Sequence, residues 1–226
     1  MLNTVDLQFF TIENLVKTGL PALPANVLKI SALIEDLNVS QQKIAEAISM
    51  DIVISSRILG LANSPIYALH GTITNLTEAV NVVGNRAIAD QLLVCGVSDA
   101  FGRKILDSPA GRTIWVHSLA VGLTASEMCK RAKLRGAEDA FSCGLLHDIG
   151  KLILLRADAP FYMDIMKAGD DEGDVSTIER RMLGFDHAEL GAEAGIAWKL
   201  PGPVCHMIRN HHHPSNSTAG IALAHV

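Results

Sequence analysis

The stretch from Gly144 to Leu152 (GLLHDIGKL) places a histidine, an aspartate and a lysine within a segment that is otherwise apolar. His147 and Asp148 are adjacent, and Lys151 follows Asp148 by three residues, a spacing that puts both side chains on one face of a helix. Burying an imidazole and a carboxylate costs free energy unless a partner satisfies them. A metal ion would do so, and so would a hydrogen-bonded pair within the core. This stretch alone leaves both interpretations open.

Histidines recur along the chain in an order that favours a metal site. His117 precedes the His-Asp pair by thirty residues, and His187 follows it by forty at the start of a predicted helix. An adjacent pair, His211 and His212, ends the next predicted helix, with His213 directly after it. Each histidine alone is weak evidence. Together they can converge between helices, where helical bundles build metal sites from facing side chains.

This combination of ligands suits several divalent metals. Imidazole and carboxylate groups bind Fe, Mn, Zn, Ni or Mg in different mixtures. A carboxylate can bridge two ions, and two ions about 3.5–4 Å apart can hold a phosphate and activate water. The predicted cofactor is therefore a divalent metal, in a mononuclear or dinuclear site.

The elements that position these residues are predicted to be helices. Apolar residues recur at helical spacing in segments of about 8–20 residues bounded by caps and short loops, as over residues 27–37. Ser40 and Asp51 are predicted N-caps of the two helices that follow. The stretch IYALHGTIT (66–74) is too short and isolated to be called a strand and is predicted to be a loop. We therefore predict an all-α fold.

The best internal boundary is the stretch GRKILDSPAG (102–111), which contains a basic pair, a proline and two glycines. It is too short and too apolar to be a free linker. We predict an N-terminal helical subdomain over residues 1–108 and a second helical region over residues 109–226. The second region begins with a long helix from Arg112 to about Lys133.

Composition and charge exclude several functional classes. The net charge is −5 without a basic block, so binding to a nucleic-acid backbone is not indicated. No uncharged run reaches about 18 apolar residues, and the N-terminus lacks the basic region of a signal peptide, so we predict neither a membrane span nor export. The four cysteines form no CxxC pair and lie in apolar helical segments. We expect buried, reduced thiols and therefore a cytoplasmic protein.

Six residues, in their order along the chain, resemble the ligand pattern of the HD superfamily of metal-dependent phosphohydrolases: His117, His147, Asp148, His187, His211 and His212. HDIGK (147–151) is similar to the form used by the branch that hydrolyses cyclic dinucleotides. LPALP (20–24) and the helices ending in LANSP and VVG resemble the first half of the HDOD domain, the HD-related output domain. WVHS, GFDHAELGA, WKLP and the run from Ile208 to Pro214 resemble its second half. The resemblance covers the chain from about Leu20 to Val226.

The resemblance implies an N-terminal helical bundle packed on an HD-type helical core, which together form one HDOD domain of a bacterial protein. HDOD domains are mostly regarded as signalling output modules beside receiver or other sensory domains, and many have lost part of the HD site. By this resemblance the six residues are the expected metal ligands, with Asp148 as the bridging carboxylate. Lys151 is expected near a substrate phosphate, so Asp148 and Lys151 are the candidate catalytic residues.

Two departures from the HD pattern bear on activity. The Gly-Tyr-Pro motif of cyclic-dinucleotide hydrolases is absent after the histidine run, where the sequence reads HHHPSNSTAG, which argues against cyclic-di-GMP as substrate. The last ligand of the superfamily is an aspartate on the next helix, which here reads AGIALAHV up to Val226. We expect this aspartate beyond Val226 in a longer protein, the alternative being that it is absent.

Three functional hypotheses follow. The first is a signalling output module that binds metal and acts through protein partners or a small phosphorylated ligand. The second is a hydrolase in which metal-activated water attacks a phosphoester and Lys151 stabilises charge on the phosphate. The third is a structural helical module whose polar residues pair with one another. We favour the first hypothesis, with the second as the main alternative, and none of them involves nucleic acid or a membrane.

Overall fold

The computed structural model describes residues 9–67, 72–134, 137 and 139–213, and these residues form helices and no strand. The predicted all-α fold is confirmed. The chain groups into two compact units. The larger unit comprises the chain up to Ala22 and from Phe101 onward, and the smaller unit runs from Leu23 to Ala100. The division predicted between residues 108 and 109 stays a prediction.

Thirteen α-helices lie within the described residues. In chain order they are α1 (Ile12–Asn14), which continues as a π-helical turn over Leu15–Gly19, α2 (Ala25–Glu35), α3 (Gln41–Ser49), α4 (Ile52–Ala62), α5 (Leu76–Val83), α6 (Asn85–Leu106), α7 (Pro109–Ala132), α8 (Ala140–Leu146), α9 (Ile149–Ala157), α10 (Ala159–Glu172), α11 (Val175–Leu183), α12 (His187–Ala197) and α13 (Gly202–Asn210). Helix α6 has a kink at Gly102, where φ is 69°. Helix α7 begins three residues before the predicted start, because Ser108 caps it and Pro109 suits its first position.

The smaller unit has capped helices around an aliphatic core. The side chains of Ser40 and Asp51 accept hydrogen bonds from the first turns of α3 and α4, as predicted. Helix α2 ends earlier than the apolar spacing indicated, because the Asp36 carboxylate accepts the backbone N–H of Asn38 in a local turn. Leu37 is consequently 99% exposed. The largest side chains of the core are Ile30, Ile44, Ile48, Ile58, Ile88 and Leu92.

In the larger unit, two glycines of the GLLHDIGKL stretch bring helices into close contact. Helix α7 packs against α8, and a Cβ atom on Gly144 would lie 2.7 Å from the Cα atom of Gly122. Helix α9 packs against α12, and a Cβ atom on Gly150 would lie 2.0 Å from the carbonyl oxygen of His187. Only glycine permits backbones to approach this closely. These two contacts therefore set the spacing of the helices that carry the histidines.

The His147-Asp148 pair lies in a turn rather than within one helix. Helix α8 ends at Leu146 and α9 begins at Ile149. The His147 ring hydrogen-bonds to the carbonyl oxygen of Gly144, which a continuous helix would use for the amide of Asp148. Both polar side chains therefore lie where the chain changes direction between two apolar helices.

The N-terminal segment packs within the larger unit. The indole N–H of Trp198 donates a hydrogen bond to the carbonyl oxygen of Pro21 at 2.9 Å. The rings of Phe10 and Phe161 are in contact, with centroids 5.1 Å apart. Residues 20–24, the LPALP connector, are not helical. These contacts explain why the first described residues group with the second half of the chain.

The remaining expectations concern the cysteines, the membrane and the loops. All four cysteines are buried and none forms a disulfide, as predicted. No helix in the described part of the chain is long and apolar enough to cross a membrane. The described residues of the predicted loop, 66–67 and 72–74, lie outside the helices. Its other residues, and the predicted helix that reads AGIALAHV up to Val226, lie outside the described residues.

We expect Gly150→Ala to lower the free energy of unfolding of the larger unit by about 3 kcal/mol, because the new methyl group overlaps the His187 carbonyl. Urea denaturation followed by tryptophan fluorescence measures this, since Trp115 and Trp198 both belong to the larger unit. The control is Gly202→Ala, where a Cβ atom meets nothing within 4 Å and the change should stay within about 0.5 kcal/mol. Equal stability of the two variants would contradict the close α9–α12 contact.

Candidate metal centre

The larger unit brings together the residues that the sequence analysis predicted for the site. Helix α7 carries His117, the α8–α9 turn carries His147 and Asp148, α9 carries Lys151, α12 begins with His187, and the chain leaving α13 carries His211 and His212. Asp148 lies at the centre and is 3% exposed. His213, the third of the adjacent histidines, is exposed. His70 and His225 lie outside the described residues.

One oxygen of Asp148 faces a group of three histidines. Oδ1 lies 3.2 Å from Nε2 of His187 and 3.8 Å from Nε2 of His211. Nε2 of His212 lies 2.8 Å from Nε2 of His187. One nitrogen from each histidine falls within 4.8 Å of the others. We call His187, His211 and His212 the inner cluster.

The other oxygen of Asp148 faces a second group. Oδ2 lies 3.4 Å from Nε2 of His147 and 3.9 Å from Nε2 of His117. Lys151 donates a hydrogen bond to the same oxygen at 2.9 Å. The ligand atoms of His117, His147 and Asp148 also lie within 4.8 Å of one another. We call His117 and His147 the outer cluster. Asp148 thus directs one oxygen towards each cluster, as a bridging carboxylate does.

Backbone carbonyls determine which ring nitrogen faces the site. Nδ1 of His147 lies 2.8 Å from the carbonyl oxygen of Gly144, and Nδ1 of His211 lies 2.7 Å from that of Ile208. A carbonyl oxygen only accepts hydrogen bonds, so each Nδ1 carries a proton. In the neutral ring, Nε2 then has a lone pair. Both imidazoles therefore turn a lone pair, rather than a proton, towards Asp148.

His187 is held by Glu179, a residue that the sequence analysis missed. Oε2 of Glu179 lies 2.6 Å from Nδ1 of His187 and accepts the backbone N–H of the same residue at 2.8 Å. Oε1 of Glu179 accepts a hydrogen bond from the hydroxyl group of Tyr162, with the two oxygens 2.6 Å apart. The sequence did contain a signal that Glu179 is buried. Glu179 lies four residues from both Val175 and Leu183 and therefore interrupts an apolar helix face.

Buried atoms of the site fit a divalent metal. Oδ1 of Asp148 and Nε2 of His211 are both buried, and neither has a hydrogen-bond partner in the described part of the chain. A lone pair facing a carboxylate oxygen is unfavourable, whereas a cation between them would satisfy both atoms. Imidazole nitrogen with a single carboxylate suits Fe, Mn, Ni or Zn better than Mg, which prefers oxygen ligands. The described residues therefore fit a transition metal.

The charges of Asp148 and His187 stabilise each other. Burial raises the pKa of Asp148, but the neighbouring imidazoles of His147 and His187 and the charge of Lys151 outweigh it and hold that pKa well below its usual range. Burial likewise lowers the pKa of His187, but Asp148 and Glu179 outweigh it and raise that pKa.

The centre is buried on one side and open on the other. Asp148 and His187 are buried, whereas the side chain of His117 is 55% exposed and His212 is also exposed. Solvent therefore reaches one edge of each cluster. A metal that served only to tie helices together would be enclosed, because structural sites have closed coordination.

In the metal-free protein we expect burial, and then the charges of His212 and His147, to lower the pKa of His211 to about 3. His211 then remains neutral until the pH falls to that value. The unfolded chain takes up this proton near pH 6.5, so His211 lowers the stability of the fold as the pH falls from 6.5 towards 3. Nitrogen-15 NMR of histidine-labelled protein in chelator measures the titration, and His211→Gln assigns the resonance. Titration of His211 near pH 6.5 would contradict its buried position.

The sequence matches a known protein family. A family model described as the HDOD domain matches residues 20–214. An uncharacterized protein of Treponema pallidum (strain Nichols) is 28% identical over 196 residues, which are 85% of this chain and 37% of that protein. The chain thus spans less than half the length of this relative.

Two solved structures share the fold. An HDOD domain protein of unknown function from Geobacter sulfurreducens has a TM-score of 0.75 at 24% identity, over 95% of this chain and 76% of that one. A Shewanella amazonensis SB2B protein, for which a phosphohydrolase activity has been proposed, has a TM-score of 0.74 at 28% identity, over 94% and 76%. Since the family model covers most of the sequence and the fold agrees, the chain belongs to the HDOD family.

Proposed function

We propose that this chain binds divalent metal through the inner and outer clusters and hydrolyses a small phosphoester. The position of Asp148 carries the proposal, because each of its oxygens faces a different set of imidazole nitrogens. A purely structural polar core would leave fewer buried lone pairs without partners. The Shewanella relative, for which phosphohydrolase activity has been proposed, supports the same class of reaction.

The residues of the centre have distinct tasks in this proposal. The six residues predicted as ligands hold the metal, with Asp148 between the two clusters. A divalent cation bound there polarises a phosphoester oxygen and lowers the pKa of water. Lys151 lies beside Oδ2 of Asp148 and is partly exposed, so its ammonium group can also bind a phosphate oxygen. The exposed edge at His117 and His212 admits the substrate.

A second candidate function is signalling output through a protein partner, and a surface of the smaller unit favours it. Met50, Ile52 and Val53, at the junction of α3 and α4, are strongly exposed apolar side chains. Adjacent exposed apolar residues are typical of surfaces that bind other proteins. In that case the metal centre would bind a phosphorylated ligand without turning it over.

The test is turnover of a panel of nucleotides, cyclic nucleotides and generic phosphoesters with added Mn²⁺ or Fe²⁺. We expect Asp148→Asn to lose both bound metal and turnover, because one neutral amide replaces the shared carboxylate. The matched control is Asp164→Asn on the exposed face of α10, which should leave metal content unchanged. Elemental analysis of each variant accompanies the assays.

We expect Lys151→Met to lower kcat about 100-fold while metal content stays unchanged, because it removes a positive charge that acts on the phosphate. Lys167→Met, which alters an exposed lysine of α10, is the control. Metal binding without turnover of any substrate in the panel would exclude the hydrolase and leave the signalling function.

A further inference from the structure

A continuous line of buried polar groups leads from the metal centre into the core of the larger unit. It runs from Asp148 to His187, from His187 to Glu179, and from Glu179 to Tyr162. The last three residues are fully buried. The hydroxyl group of Tyr162 lies against a carboxylate in the core, and burial together with Glu179 raises its pKa well above the usual range. Tyr162 is therefore a permanent donor to Glu179.

Burial of Glu179 demands an explanation, because a carboxylate in the core costs free energy unless several donors satisfy it. Each of its oxygens is used. Tyr162 holds Oε1, and the ring and backbone of His187 hold Oε2. Tyr162 thus prevents the carboxylate from rotating, and the carboxylate fixes both the ring and the main chain of His187. The arrangement orients a single imidazole from two sides.

The two clusters differ in what supports their histidines. In the outer cluster, Nδ1 of His147 meets a neutral carbonyl group, and the His117 side chain is 55% exposed. In the inner cluster, Nδ1 of His187 meets an anionic carboxylate in a fully buried position. A carboxylate on the far nitrogen makes an imidazole a more basic and better oriented ligand than a carbonyl does.

We propose that Glu179 is the positioning residue of the inner cluster and makes it the tighter of two unequal metal positions. This rests on the proposed function to the extent that the centre binds metal. Glu179 keeps the proton of neutral His187 on Nδ1, so that Nε2 has its lone pair towards the centre. The inner position fills first, and the outer position, open to solvent at His117, exchanges its metal.

The experiment is calorimetric titration of Mn²⁺ into the metal-free full chain, with metal content measured after dialysis. The wild-type chain should bind two ions with unequal affinity. His211→Gln should remove the tight event and His117→Gln the weak one, which assigns the two positions. Glu179→Gln should weaken the tight event about 10–100-fold and leave the weak event unchanged.

The matched control is Glu193→Gln. It is the same substitution, it removes an ion pair between α12 and α13, and it lies on the same helix as His187 but takes no part in the centre. Both binding events should remain unchanged in it. Tyr162→Phe, which frees one oxygen of Glu179, should weaken the tight event about fivefold. It also serves as the second variant if Glu179→Gln fails to fold.

A readout without metal separates the two proposals. In wild-type metal-free protein at a pH where His187 is neutral, nitrogen-15 NMR should show its proton on Nδ1, and a proton on Nε2 would overturn the role of Glu179. Two unequal events that persist unchanged in folded Glu179→Gln and Tyr162→Phe would overturn it as well, while the proposed function stands. A wild-type chain that binds no Mn²⁺ or Fe²⁺ would instead overturn the proposed function, and with it the ordered filling.

Discussion

The larger unit is arranged around the buried carboxylate of Asp148. Desolvation of an anion is costly, and helices α7, α9, α12 and α13 and the α8–α9 turn supply the groups that compensate it. Lys151 and His187 bring hydrogen-bonding or charged partners, while Nε2 of His211 turns a lone pair towards the same group. Several imidazole nitrogens surround this one carboxylate, and a cation would satisfy both their lone pairs and its oxygens. The geometry therefore favours metal binding.

Close backbone contacts make this arrangement possible. Gly144 lets α8 approach α7, and Gly150 lets α9 approach the first turn of α12, so the His147-Asp148 turn lies between helices that carry other ligands. The N-cap of α12 contributes as well. Asp186 accepts the N–H of Glu189 and pairs with Arg180, next to Glu179 on α11. The beginning of α12 is thus held from α9 and from α11, and His187 has little freedom to move.

Predictions from the sequence succeeded where the cause is local. Apolar spacing and capping residues such as Ser40 and Asp51 predicted helices, because helix formation depends on neighbours three or four residues away. The predictions were less accurate at helix ends, where a competing local hydrogen bond decides which residue ends the helix. Asp36 forms such a bond after α2, and His147 does so after α8. Glu179 was missed, because a glutamate on a helix is usually solvated and only packing against α10 and α12 buries it.

The sequence by itself determined which residues are available for metal chemistry, since the family resemblance and the order of His117, the His147-Asp148 pair, His187 and the His211-His212 pair can be read without coordinates. Only the tertiary structure decided how they are grouped. It directs Oδ1 and Oδ2 of Asp148 to different clusters, buries His187 while the side chain of His117 stays 55% exposed, and gives His187 a carboxylate partner. The physical reason is that burial and the tautomer of an imidazole depend on atoms distant in sequence, which only the packing of helices brings together.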